Sequence, residues 1–253
     1  MKNIIINTTH VTIFGDSISK GLYLDDNLNV KKLDDNLSSI IEREYAIEIT
    51  NNSIFGQTLE RFYKKGTIDN YISSYLKIKE ENPNYSDTVI ICLGGNDSDY
   101  KWDEVEKEPS FDHQPKTNIY EFEMMLSDII FKLKKIGIEV ILTTLFPIES
   151  NRFFYNVLSK KYNGDKIRLF LNNDLSNISR HQEIFNNKIC EVAFKYNLKI
   201  IDIRNLFLKE RKYIDFICND GLHPNQDAQY YIFNQLFDPS QETSIEYSLE
   251  FAY

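Results

Sequence analysis

Basic charge is in short supply in this sequence: 29 Lys and Arg stand against 38 Asp and Glu, for a net charge of -9. Neutralising phosphate takes a basic face, so a nucleic-acid partner is disfavoured. Cysteine is nearly as scarce. Cys92, Cys190 and Cys218 are odd in number and form no C-x-x-C pair. That argues against a disulfide framework or a zinc site and fits a reducing, cytoplasmic setting. Long apolar runs are missing too, and none approaches the roughly 18 residues of a membrane span. The isoleucines of "MKNIIINTTH" form a stretch shorter than the about 7–15 apolar residues of a secretory leader, with no cleavage site behind it. No internal repeat and no Gly/Ser/Pro-rich linker divides the chain.

What is present suits a soluble globular protein. The 253 residues, 42% of them hydrophobic, suffice for one large core. The expectation is a single domain over residues 1–253. Apolar runs at His10–Phe14, Ala46–Thr50, Thr88–Leu93, Ile138–Leu145 and Leu198–Asp202 read as strands. The first, third and fourth are nearly unbroken, as strands buried on both faces should be. Helical spacing marks Asn118–Ile136, stopped by Gly137, then Glu183–Asn197, and Pro224–Phe237 with proline in its first turn. This alternation predicts an α/β fold, a flavodoxin-like three-layer α/β/α sandwich with a five-stranded parallel sheet ordered 2-1-3-4-5. Residues 147–181 exceed what a connection needs and read as an insertion of one or two helices at a sheet end. A tail, residues 238–253, follows the last helix.

Four stretches hold candidate chemistry. The first strand runs into "FGDSIS", which places Ser17 at the carboxyl end of a strand, the edge where open α/β sheets bind ligands. A plain capping turn would explain the same residues. Neither G-x-G-x-x-G nor Walker spacing is present in "GDSISKG", so a flavodoxin-like nucleotide binder lacks its phosphate loop. The G-x-S-x-G elbow is absent as well. The second strand ends in "NNSIFGQT", with Gly56, and the third in "LGGNDSDY", with the amide of Asn96. An EF-hand reading of Asp97, Asp99 and Glu108 fails, because Lys101 and Trp102 occupy the fifth and sixth positions. Before the last helix, "NDGLHPN" sets Asp220 three residues ahead of His223, a spacing that lets a carboxylate reach an imidazole nitrogen. Each stretch alone passes for a turn. A hydroxyl, a carboxylate–imidazole pair and several N–H donors at one sheet edge together do not.

With these four blocks in order from Val11 to Pro224, the chain resembles the SGNH hydrolases, also called GDSL-type esterases and lipases. The resemblance implies a catalytic triad of Ser17 as nucleophile, His223 as base and Asp220 as the acid holding it. It implies an oxyanion hole from the backbone N–H groups of Ser17 and Gly56 and the amide of Asn96. Ile18 in place of a common leucine and Ser53 in place of a frequent glycine depart from the pattern without touching those roles. The activity implied is hydrolysis of an ester of a short acyl group, an O-acetylated carbohydrate among the candidates, through an acyl-enzyme. No metal or organic cofactor is required. A small-molecule ester is the implied partner, with no nucleic acid and no stable membrane insertion; the oligomeric state is left open. A lysophospholipase or acyl-thioesterase is the alternative, with Phe153, Phe154 and Tyr155 either lining an acyl site or packing a helix core. A non-catalytic carbohydrate-binding module is another. The acidic stretch with Asp99, Asp103, Glu104 and Glu106 is expected to select against anionic leaving groups.

Overall fold

The computed structural model describes residue 8 and residues 10–237. The tail at 238–253 lies outside these. Strand β1 (His10–Gly15) is followed by a short antiparallel hairpin, β2 (Leu22–Leu24) and β3 (Val30–Lys32). Then come β4 (Glu48–Asn51), β5 (Asp87–Cys92), β6 (Glu139–Thr143) and β7 (Lys199–Ile201). All but the hairpin join one parallel sheet in the order β4-β1-β5-β6-β7. This is the predicted 2-1-3-4-5 arrangement. The hairpin was not read from sequence: each arm is only three residues long, too short for a period-2 pattern to register.

The helices are α1 (Ser17–Lys20), α2 (Leu37–Tyr45), α3 (Leu59–Lys64), α4 (Thr67–Glu81), α5 (Trp102–Lys107) and α6 (Ile119–Lys135). After β6 follow α7 (Ser150–Phe153), continued by a π-turn over Phe154–Leu158, then α8 (Ser159–Lys161), α9 (Gly164–Phe170) and α10 (Ser176–Lys195). Last come α11 (Ile203–Leu208) and α12 (Gln226–Leu236). Among the described residues, no helix is long and apolar enough to cross a membrane.

Two cores sandwich the sheet, because β1, β5 and β6 send apolar side chains to both faces. Phe14, Val89, Ile91, Val140 and Leu142 pack beneath α3, α4, α6 and α10. Val11, Ile13, Ile90, Ile141 and Ile201 pack beneath α2 and α12. A third cluster lies off the sheet. There Leu24, Trp102, Val105, Phe153, Phe154 and Ile178 join the hairpin, α5 and the 147–181 segment. This satellite stands over the carboxyl edge of the sheet and walls the site described next.

Candidate active site

Ser17 is the first residue of α1, directly after β1. Asp16 caps that turn, its Oδ1 accepting the Ile18 N–H at 2.9 Å. Ser17 is 5% exposed, yet its Oγ lies 2.8 Å from His223 Nε2. On the far side of the ring, Nδ1 lies 2.7 Å from Asp220 Oδ2. A carboxylate at this distance accepts, so Nδ1 holds the proton. Nε2 is then left as acceptor for the Ser17 hydroxyl. Burial alone would raise the Asp220 pKa. Hydrogen bonds and charge from His223, with N–H donors from Leu24 and Leu222, outweigh that and hold it below the usual carboxylate value. The missed hairpin enters here: the Leu24 N–H donates to Asp220 Oδ2 at 2.8 Å.

The loop that holds this pair is shaped by contact with the 147–181 segment. Gly221 has φ +76, and a Cβ there would come within 2.4 Å of Phe153 N and 2.6 Å of Glu149 O. Only glycine satisfies both the backbone angle and the space. Glu149 N–H donates to Gly221 O at 2.9 Å, and Arg152 Nη1 to Ile217 O at 2.7 Å. The segment therefore braces the Asp220–His223 turn as well as overhanging Ser17.

The loop after β4 reaches Ser17 by continuing alongside β1: Asn52 N–H donates to Ile13 O at 2.9 Å and Ile54 N–H to Gly15 O at 3.1 Å. Lys20 Nζ donates to Ser53 O at 2.8 Å and stitches this loop to α1. Gly56 then turns with φ +66. Among the described residues, the backbone N–H groups of Ser17 and Gly56 have no acceptor. Asn96, after β5, differs. Its Nδ2 donates to Asp16 Oδ2 at 3.1 Å and to Gln57 O at 3.2 Å. Its amide is therefore engaged within the protein, by two bonds that are both longer than 3 Å.

Two buried carboxylates underpin these donors: Asp16 as the cap expected of the first turn, and Asp97 through bonds that reach well beyond its own turn. Asp16 forms no ion pair among the described residues, and burial pushes its pKa up to about 6. Asp97 is fully buried, and burial raises it to about 6 as well. It accepts the Leu59 N–H at 2.8 Å and the Thr117 hydroxyl at 2.6 Å, tying the end of β5 to the start of α3. The Gly56 loop and Asn96 are thereby fixed to each other.

Other expectations sort differently. His10 and His113 do not line the cleft at Ser17; His181 stands behind its wall, with Nδ1 2.7 Å from Ser98 O and its ring stacked on Tyr100. Phe153 lines the cleft; Phe154 packs in the satellite core under the Arg168 guanidinium, and Tyr155 is exposed. The acidic stretch is helical over Trp102–Lys107, and its charges have partners. Asp99 is 2.7 Å from Lys116, Lys101 and Lys107 pair with Glu104 and Asp103, and Glu106 accepts the Asn163 N–H. Of the four carboxylates only Asp99 reaches the cleft wall.

Residues 13–230 match the GDSL-like Lipase/Acylhydrolase family.

The chain belongs to the GDSL-like lipase/acylhydrolase family.

It is by that membership a carboxylic ester hydrolase. Solved structures of the same fold include a catalytic mutant of an acetylxylan esterase from Geobacillus stearothermophilus, at TM-score 0.60 and 16% identity, covering 91% of this chain and 94% of that one. A psychrotrophic esterase from a Pseudoalteromonas species aligns at TM-score 0.52 and 16% identity, over 91% and 95% of the two chains. A lipase/acylhydrolase from Enterococcus faecalis aligns at TM-score 0.53 and 21% identity, over 89% and 94%. No curated protein sequence matches the chain. At such identities the structures share the GDSL fold and leave the substrate open.

Proposed function

We propose that this GDSL hydrolase cleaves an ester of a short acyl group through an acyl-enzyme on Ser17. The observation that carries the reading is the unbroken run from Ser17 Oγ to His223 Nε2, at 2.8 Å, and from His223 Nδ1 to Asp220, at 2.7 Å. His223 takes the hydroxyl proton as Ser17 Oγ attacks the acyl carbon, and Asp220 stabilises the imidazolium that results. The carbonyl oxygen becomes an oxyanion, received by the N–H groups of Ser17 and Gly56 and by Asn96 once its amide turns from Asp16 or Gln57. His223 passes its proton to the leaving oxygen. Water, deprotonated by His223, then releases the acid and restores Ser17. The whole chain acts as one catalytic unit, with the 147–181 segment as its roof. A cytoplasmic setting is supported by three cysteines that are all free. An O-acetylated carbohydrate is the alternative substrate, favoured by the likeness to the acetylxylan esterase.

A fluorophosphonate probe followed by peptide mass spectrometry tests the reading. One adduct is expected, on Ser17, and lost in His223→Ala. An adduct elsewhere, or none on folded protein, refutes it.

A further inference from the structure

Helix α6 carries apolar side chains on both of its faces. Towards the core it buries Phe122, Met125, Leu126, Ile129, Ile130 and Leu133. A helix held by one apolar face carries polar residues on the other. Here the outer face holds Tyr120, Met124 and Phe131, which are 76%, 61% and 59% exposed. A single exposed apolar side chain needs no explanation. These three stand in one line. With Ser127 between Met124 and Phe131, the steps are four, three and four residues. That is the spacing of a coiled-coil seam, in which each residue falls on one stripe.

The charges beside the stripe say what fits it. Glu121 and Lys135 flank it on the same side, at its two ends, and both are exposed. The intervening helix puts them about 21 Å apart, too far to pair within the chain, and neither forms an ion pair among the described residues. The other charges along α6 are engaged. Glu123 lies 3.1 Å from Lys188, Asp128 lies 3.1 Å from Lys132, and Lys134 Nζ donates to Tyr196 O at 2.7 Å.

A second α6 running in the opposite direction complements both features at once. Tyr120 would face Phe131 of the other copy, and Met124 would face Ser127, whose small side chain leaves room for it. In that same register the flanking positions set Glu121 opposite Lys135, twice, because the contact is two-fold symmetric. Asp128 would meet its own copy on the axis, where the two Lys132 side chains offset the like charges. A parallel pair would instead set Glu121 against Glu121 and Lys135 against Lys135, which disfavours it.

We infer that the outer face of α6 is an interface for a second copy of this chain, with the two helices antiparallel about a two-fold axis. One helix face per copy is small beside the roughly 800 Å² per partner of a standard interface, so the pair is weak, with a dissociation constant in the micromolar range or above. No residue of α6 lines the cleft at Ser17, so ester hydrolysis does not depend on pairing.

Sedimentation velocity on the full chain, from low micromolar to millimolar concentration, tests this. The average mass is expected to climb from one chain towards two. Phe131→Glu and Met124→Glu each place a charge in the seam and should raise the dissociation constant at least about tenfold. Glu121→Lys and Lys135→Glu should each weaken pairing, and the double variant, which exchanges the signs, should return to within about threefold of wild type. Fluorophosphonate labelling of Ser17 at the wild-type rate shows that each variant is folded. Oxidation of Met124 by hydrogen peroxide, followed by mass spectrometry, is a second readout in the unaltered chain and should slow as concentration rises. A chain that stays monomeric throughout, a dimer that survives Phe131→Glu and Met124→Glu, or a charge exchange that fails to restore pairing would overturn the inference. Met124 shielded at every concentration in a monomer would mean that the chain itself covers the stripe, and would overturn it equally.

Discussion

The two ends of the central sheet hold nearly the same chain of groups. At the carboxyl edge, Ser17 Oγ, His223 and Asp220 stand at 2.8 and 2.7 Å. At the amino edge, Thr50 Oγ1 lies 2.8 Å from His10 Nε2, and His10 Nδ1 lies 3.1 Å from Asp87 Oδ1. A hydroxyl, an imidazole and a buried carboxylate are therefore not enough to make a site. At the amino edge the Nδ1–Oδ1 contact is an ion pair without hydrogen-bond alignment, Oδ1 having no hydrogen-bond partner. Asp87 Oδ2 is taken by Thr12 and Tyr71, at 2.7 and 2.6 Å. Thr50 lies within strand β4, and none of the three groups borders the cleft. The serine end adds what the threonine end lacks: a cleft, and beside it two backbone N–H groups, of Ser17 and Gly56, without acceptors among the described residues.

The comparison breaks most sharply under alanine. Ser17→Ala and His223→Ala should each lower kcat by about 10⁴-fold or more, whereas Thr50→Ala should stay within the scatter of wild type. Steady-state hydrolysis of p-nitrophenyl butyrate measures both. Comparable losses at the two edges would show that the amino-edge relay takes part. Asp220→Ala should lose less than the Ser17 variant, since the imidazole keeps part of its orientation. Asp202 is the control acid: its carboxylate holds Asn205 and Thr144 at the start of α11, and Asp202→Ala should not match the loss at Asp220.

Next in size is the donor side. Asn96→Ala should lower kcat by about 10²–10³ with little change in KM. Asp16→Ala should act in the same direction and less, because it frees the amide while uncapping α1. A KM defect with kcat intact would make Asn96 a substrate-binding residue instead.

Stability should separate the edges differently. The Asp87 carboxylate raises the His10 pKa above its usual value, against the effect of burial. Stability from this pair is complete below the unfolded pKa of about 6.5 and is lost as pH rises through the raised folded value. His10→Ala should cost about 3 kcal/mol at pH 6, and less at pH 9, read by urea unfolding. A cost independent of pH would mean that the imidazole only packs. Asp220 carries the opposite sign: its lowered pKa adds stability above the unfolded carboxylate pKa, lost as pH falls through the folded one.

The smallest effect is expected at the acidic stretch. Neutralising Asp103, Glu104 and Glu106 together should change the kcat/KM ratio for neutral and anionic esters by less than about twofold at low salt, since exposed, paired charges contribute little. A larger change would restore the charge selection read from sequence.

Particular residues show how far sequence reaches. The five strands and their order were legible, because strands buried on both faces must be apolar throughout and parallel crossovers leave few topologies. Ser17, Gly56, Asn96, Asp220 and His223 were legible because short-range motifs fix each one's place on a strand end or turn. Their mutual distances were not. These come from Leu24 N–H reaching Asp220 across nearly two hundred residues, from Asp97 gripping the start of α3, and from Glu149 and Phe153 moulding Gly221. Long-range bonds between a side chain and a backbone leave no periodicity in the sequence. The same holds for the cleft: Trp102, Phe153 and Ile178 lie far apart in the chain, and only their convergence beside Ser17 makes them a wall. Local pattern determined which groups stand as candidates for chemistry; packing between distant segments decided where they meet and what can lie beside them.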